Sequence, residues 1–160
     1  MVVQELPEKV RRLQKLLPSL AITTILFAVI AFLMAPVGEP EEMAKIENAL
    51  LLALTLLAAG GIPAFFIARM NMIGKLRDSL SGRKPEECLE SIAATYLQIG
   101  LIGTALAEII GFFGLGIVLF TGNWLAGLAA LLALLVEAVL YPRLSTFQTF
   151  AVNVAGRYGL

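Results

Sequence analysis

The chain has no histidine, one cysteine and little charge, and these shortages exclude several classes of protein. Without histidine it lacks the commonest zinc and haem ligand and the usual catalytic base. Cys88 cannot form an internal disulfide, no Cys/His metal spacing is possible, and in its charged segment we expect a reduced surface thiol. No nucleophile has a base partner. The sequence therefore predicts a protein that is not an enzyme and that has no cofactor and no metal.

Charge is scarce as well as balanced. Only 15% of the 160 residues are charged, and the formal net charge is zero. A soluble domain has about 25% charged residues, so this chain is too apolar for an ordinary soluble domain. A zero net charge gives no field that would attract a polyanion. We therefore expect no nucleic-acid partner, and expect membrane lipids instead.

What the sequence does have is long apolar segments. Apolar residues make up 59% of the chain, mean hydropathy is +0.87, and four segments reach membrane-spanning length, at about 19–35, 49–69, 96–120 and 124–141. Backbone groups in lipid must be hydrogen-bonded within the segment, which favours helices. The predicted fold is an all-α, polytopic integral membrane protein, a bundle of four transmembrane helices forming a single membrane domain over 1–160.

The distribution of basic residues predicts the orientation of this bundle. Of the 12 lysines and arginines, only Lys45 lies between spans one and two, and the others flank the opposite ends of the spans. Since basic residues accumulate on the cytoplasmic side, we expect a multi-pass protein of the cell membrane with both termini and a loop over 70–95 in the cytoplasm. The membrane is predicted to be a bacterial or archaeal plasma membrane. The first span is longer than the apolar part of a signal peptide, so no cleavage is expected.

The segment before span one has an apolar face. Leu6, Val10, Leu13 and Leu17 recur at helical spacing, with basic residues between them. This pattern is typical of a helix lying on the membrane surface. It is equally typical of a basic flank that only sets the orientation.

Span two contains a group of helix-breaking residues. Pro63 follows Gly60 and Gly61 in the middle of the span. Proline removes a backbone hydrogen bond and crowds the preceding turn, so a kink is predicted. Such a kink either lines a binding site, as in transporters, or only adapts the helix to its neighbours.

Span three combines a stripe of small residues with an acid. The stripe allows close approach of another helix, and its members are Gly100, Gly103, Ala107, Gly111 and Gly114. Glu108 borders the stripe near the predicted midplane, and Thr104 lies one turn before it. A charged carboxylate facing lipid there costs about 2.5 kcal/mol or more. Glu108 is therefore predicted either to handle an ion or to make a structural hydrogen bond.

Span four contains a second acid in a similar setting. Glu137 shares a face with small residues and lies one turn before the cytoplasmic boundary. It is a second candidate for ion binding. Alternatively, its carboxylate reaches water or pairs with Arg143, which would make it structural.

Spans two and three together resemble a known family. The segment "SGRKPEE", followed by a helix containing "ALAEIIGFFGLGIVLF", is similar to the c subunit, or proteolipid, of rotary ATP synthases. In that family a cytoplasmic loop joins two helices, and the second helix carries the ion-binding carboxylate. The resemblance implies that Arg83, Lys84 and Pro85 form the loop and that Glu108 is the carboxylate.

Two functional hypotheses follow from these residues. The first is a c-like membrane subunit that binds a proton or cation through Glu108, with Thr104 assisting and Glu137 as a second station. The second is an accessory or scaffold subunit of a larger membrane complex, in which the small residues pack against partners and Glu108 is a buried hydrogen-bonding group. Both hypotheses predict association with other membrane subunits or with further copies of the chain.

Overall fold

The computed structural model describes residues 5–35, 41–80 and 84–155, and for 41–44 and Pro85 it describes the backbone only. Every regular element in these ranges is a helix, which confirms the predicted all-α class. The helices are α1 (Glu8–Met34), α2 (Glu41–Leu80), α3 (Pro85–Thr121), a 3₁₀ turn (Trp124–Gly127), α4 (Leu128–Leu140) and α5 (Leu144–Ala155).

Three of these helices, α1, α2 and α3, are long and apolar enough to cross a membrane. The stretch Trp124–Leu140 meets α5 at an angle of 71°, and the two together form a bent pair. The predicted count of four spans is reached only if this pair is counted as one span.

The segment 70–95, predicted as a cytoplasmic loop between spans two and three, is mostly helical. Helix α2 continues to Leu80 and α3 begins at Pro85, so the described part of this segment is almost entirely helical. Proline is favoured at the first position of a helix because its missing N–H has no partner there in any case. The helices extend past the apolar segments because Leu76, Leu80 and Ile92 are buried in a shared core.

At this end of the bundle the structure excludes one of the two alternatives for the segment before span one, the surface helix, and contradicts the predicted exposure of Cys88. Helix α1 runs without interruption from Glu8 through Pro18, and Val10, Leu13 and Leu17 are buried against the protein. Their face is therefore part of the core and does not lie on a membrane surface. The Cys88 thiol, predicted to be at the surface, is 1% exposed and belongs to the same core.

Helix α3 is the centre of the bundle and contacts each of the other helices. Helix α1 runs parallel to it, since Leu13 lies against Gly100 and the rings of Phe27 and Phe112 meet edge to face at 5.4 Å. Helix α2 runs antiparallel, with the Leu106 side chain against Gly61. Helix α4 also returns antiparallel, after a tight turn.

The turn into α4 depends on two residues. Gly122 ends α3 with a φ of 77°, a left-handed conformation that favours glycine. The Asn123 side chain then accepts a hydrogen bond from the Leu125 N–H at 3.0 Å, which starts the 3₁₀ turn. Asn123 also donates to Glu47 at 2.5 Å and so ties this turn to α2.

Two apolar clusters lie at opposite ends of the bundle. The basic-end cluster joins α1, α2, α3 and α5 and contains Val10, Leu76, Leu80, Cys88, Ile92, Ala93, Phe147, Ala151, Val154 and Ala155. The turn-end cluster joins α1, α3 and the start of α4 and contains Ala31, Leu115, Ile117, Val118, Ala126 and Ala130. Buried polar residues lie between them.

An ion pair on the surface connects α1 and α3 at the basic end. The Lys9 ammonium lies 2.6 Å from the Glu90 carboxylate, and both side chains are exposed. The hydrogen bond and the positive charge of Lys9 hold the pKa of Glu90 below its usual value. Glu90 is therefore an exposed, ionised carboxylate on the same helix as the buried Glu108.

Candidate functional site

The candidate site is a group of four buried polar side chains from three helices, which we call the polar cluster. Its members are Thr24 of α1, Thr104 and Glu108 of α3, and Glu137 of α4. Their side chains are 0%, 2%, 7% and 3% exposed, respectively. Buried carboxyl groups are rare unless they have polar partners, so the contacts of these four residues determine what the site can do.

Glu108 is bonded to the opposite helix by Thr24. The Thr24 Oγ1 lies 2.9 Å from one carboxyl oxygen of Glu108 and 2.8 Å from the other. A threonine hydroxyl has a single proton to donate, whereas a neutral carboxyl has a proton of its own. The two contacts fit one Thr24 proton shared between both carboxyl oxygens, and they equally fit a protonated Glu108 that donates to the Thr24 oxygen.

Glu137 faces Glu108 from α4. The two carboxyl groups are near enough to interact electrostatically, and neither buried oxygen of Glu137 has a hydrogen-bond partner among the described residues. Two carboxylates offer only acceptors, whereas one proton between them turns the contact into a hydrogen bond. Two neighbouring buried carboxylates of like charge also repel each other. The arrangement is therefore one that can hold a proton between the two carboxyl groups.

Thr104 lies at the same level of the bundle. A Cβ on Gly103 would lie 2.8 Å from the Leu140 side chain, and one on Gly111 would lie 2.9 Å from Ala133. In an antiparallel pair these contacts place Glu137 level with the turn between Thr104 and Glu108. The Thr104 hydroxyl is buried and has no partner among the described residues. It was expected to assist Glu108, but in the structure Thr24 makes that contact.

The predicted stripe of small residues packs mainly against α4. Gly103, Gly111 and Gly114 each face that helix, with atoms of α4 or its 3₁₀ turn within 3 Å of the position of a Cβ. Gly100 instead lies against Leu13 of α1. Ala107, between Gly103 and Gly111 in the stripe, is buried. The stripe thus brings α3 and α4 close together, and this approach is what allows Glu108 and Glu137 to meet.

The helix-breaking residues of α2, Gly60, Gly61 and Pro63, are not part of the polar cluster. Helix α2 is a single helix that includes Pro63, whose side chain is exposed. Gly61 accommodates Leu106 of α3, whereas a Cβ on Gly60 would meet nothing within 4 Å. The structure therefore brings no polar side chain of this segment to the carboxyl pair.

The segment that resembles the c-subunit loop lies far from the cluster. Lys84 precedes α3 and Pro85 is its first residue, while Arg83 is outside the described residues. Glu108 lies 23 positions after Pro85 in α3, which separates the two by roughly 35 Å along the helix. Lys84 and Pro85 lie at the basic end of the bundle.

Thr24 is the residue of the site that the sequence analysis missed. It follows another threonine in an apolar span, and a membrane threonine commonly bonds to its own helix, as Thr23 does to the Ser19 carbonyl at 2.9 Å. A signal was nevertheless present, because Val10, Leu17, Thr24 and Ala31 recur every seven residues and all are buried. A polar residue within such a stripe faces another helix.

We expect Thr24→Val to destabilise the protein by about 1 kcal/mol, the size of an interhelical hydrogen bond in membrane proteins. Valine has nearly the same shape and lacks the hydroxyl that contacts Glu108. The measurement is thermal unfolding in detergent. Thr23→Val is the matched control, since its exposed hydroxyl bonds only within α1. Equal losses in both variants would contradict the assigned role of Thr24.

The cluster contains two acidic residues and two threonines, so it is poor in metal ligands. Within the part of the chain that the structure describes, no group of three or more histidine, cysteine, aspartate or glutamate residues could hold a metal ion. Comparison of the chain with protein-family models, curated proteins and solved structures gave no match.

Proposed function

We propose that this chain is an integral membrane protein that crosses the cell membrane four times, with both termini in the cytoplasm. The length and hydropathy of α1, α2 and α3 support three of the spans. The bent pair of Trp124–Leu140 and α5 reaches the same criterion only when both parts are counted, and we assign the crossing itself to Trp124–Leu140, which is apolar along its length. Helix α5 then lies at the cytoplasmic end, where it packs on the basic-end cluster. The scarcity of basic residues at the opposite end supports this orientation.

Within this membrane protein we assign proton binding, without catalysis, to the polar cluster. The observation that carries the proposal is the carboxyl pair: Glu108 and Glu137 are both buried, they lie at the same level of the packed helices α3 and α4, and Glu108 is hydrogen-bonded to Thr24. A charged carboxylate at the middle of a membrane is costly, so such groups are kept where an ion passes or binds. The resemblance to the c subunit assigns the same role to Glu108.

The geometry favours a proton over a metal cation as the ion. The Thr24 hydroxyl contacts both Glu108 oxygens directly, so part of the lone-pair capacity of that carboxyl is already used in hydrogen bonding. A proton needs a single further lone pair, whereas a metal cation needs several oxygen ligands at once. The test below therefore includes sodium as the alternative ion.

The test is carbodiimide labelling of native membranes over a range of pH, with and without sodium, read by peptide mass spectrometry. A hydrophobic carbodiimide captures a protonated carboxyl in an apolar site. We expect labelling at Glu108 or Glu137 that decreases with rising pH and is absent after Glu108→Gln and Glu137→Gln together. Glu90, exposed and ionised on the same helix, is the internal control and should stay unlabelled. If sodium at constant pH protects these carboxyls from labelling, the bound ion is sodium and the proton assignment is wrong.

A scaffold role in a larger membrane complex is the second candidate, and one observation favours it. The apolar stretch of α2 has none of its residues buried within the chain. Such a face is available to other membrane subunits or to another copy of the chain. Unlabelled carboxyls at every pH, together with co-purification of the chain in a larger complex, would favour the scaffold and count against proton binding.

A further inference from the structure

A cavity of about 500 Å³ lies at the basic end of the bundle, apart from the polar cluster. It is enclosed by the end of the apolar part of α2, the first half of α3, and the bend between α4 and α5. None of the four polar-cluster residues lines it. A cavity of this size matches the lower part of the range for small-molecule sites.

The lining of the cavity is divided into an apolar wall and a polar rim. The wall is formed by side chains from four helices, namely Phe65, Tyr96, Ile99, Val139, Leu140 and Phe150. The rim carries Arg69, Ser145, Thr146, Thr149 and Asn153. A ligand that fits both parts must be amphipathic, with a polar group at the rim and an apolar portion against the wall.

The charge of the rim indicates the charge that the polar group of the ligand should carry. Among the residues that the structure describes, Arg69 is the only charged one that lines the cavity, and none of the lining residues is an acid. Among the described residues the Arg69 side chain is exposed and takes part in no ion pair. A guanidinium binds phosphate through paired hydrogen bonds, and the exposed hydroxyls of Ser145 and Thr146 can donate to the same group.

The cavity also opens sideways along α4. Val139, which lines it, is 79% exposed on the outer apolar surface of that helix. An acyl chain could therefore leave the cavity along the surface that faces the bilayer. With the proposed orientation, Arg69 lies at the cytoplasmic headgroup level, where anionic phospholipids are found.

We infer that this cavity binds an anionic phospholipid, with its phosphate on Arg69 and one acyl chain along the Phe65, Ile99 and Leu140 wall. This inference uses the membrane orientation proposed above but not proton binding at the polar cluster. Failure of one assignment therefore leaves the other intact, because carbodiimide labelling and lipid binding are separate measurements on separate residues.

The experiment is native mass spectrometry of the detergent-purified full chain, titrated with dioleoyl phosphatidylglycerol or dioleoyl phosphatidylcholine. We expect tighter binding of the anionic lipid, and a loss of about tenfold in its affinity in Arg69→Gln, as for a charge-assisted hydrogen bond. Lys75→Gln is the matched control, since Lys75 is an exposed cation on α2 outside the cavity lining. Arg69→Lys should restore part of the affinity.

A second variant tests the apolar wall without altering charge. Val139→Trp places a large ring at the exposed side opening and should weaken the binding of the anionic lipid, while helical content by circular dichroism stays unchanged. Equal binding of the two lipids, or equal losses in Arg69→Gln and Lys75→Gln, would overturn the inference. Displacement of the lipid by inorganic phosphate alone would assign the rim to a free anion and overturn the lipid as its occupant.

Discussion

Glu108→Leu is expected to destabilise the protein by about 3 kcal/mol, and adding Glu137→Leu is expected to restore most of that loss. The single change removes the carboxyl that faces Glu137, and the buried oxygens of Glu137 have no hydrogen-bond partner among the described residues. The double change removes both groups and replaces them with apolar side chains of similar size. The measurement is the free energy of unfolding in detergent or lipid.

The two single substitutions should not be equivalent. In Glu137→Leu the Glu108 carboxyl keeps its contacts with Thr24 at 2.8 and 2.9 Å, so a smaller loss is expected. Glu108→Gln is the control for shape and hydrogen bonding, because its amide can accept from Thr24 and donate to Glu137. Glu108→Gln should therefore lower the free energy of unfolding by much less than Glu108→Leu does. Strictly additive losses in the double variant would show that the carboxyls do not interact.

The double leucine variant also separates structure from function. If it folds as well as the natural chain but has lost carbodiimide labelling and any proton-dependent activity, the carboxyl pair is retained for the ion it binds. If it folds, assembles and functions normally, the pair contributes only to packing. A scaffold would tolerate this replacement, since apolar residues of similar volume often substitute for a buried polar pair without loss of stability.

Hydropathy predicted which segments of the chain are helices, but not where those helices end. Apolar length identified the helices, because a chain in lipid must pair its backbone groups internally. It did not identify where they end, since Leu76, Leu80 and Ile92 lie outside the long apolar segments. These residues are buried in the basic-end cluster, whose contacts between α2, α3 and α5 are far apart in the sequence. Their burial keeps α2 and α3 helical beyond the predicted spans.

The candidate site was predictable for single residues but not for their pairing. Glu108 and Glu137 stand out because an acid in an apolar segment is expensive. Their contact depends on the register between α3 and α4, which is set by the packing of Gly103 against Leu140 and of Gly111 against Ala133. Such a register cannot be read from either helix alone. Thr24 was missed for the same reason, since its role depends on how α1 lies on α3.

The register of α3 and α4 can be tested with two neighbouring glycines. In Gly114→Ala the new Cβ would lie 2.5 Å from the Ala126 carbonyl oxygen and 2.6 Å from the Ala129 Cβ, so α4 must move away, at a cost of about 1–3 kcal/mol. Gly116→Ala, two residues further along α3, meets nothing within 4 Å and should stabilise by about 0.5–1 kcal/mol, because alanine favours the helix over the unfolded chain. Since the same approach of α4 brings Glu137 to Glu108, Gly114→Ala should also alter carbodiimide labelling, and Gly116→Ala should not. Opposite signs in unfolding free energy would support this register, whereas equal effects of the two alanines would place α4 on another face of α3 and would separate the two carboxyls.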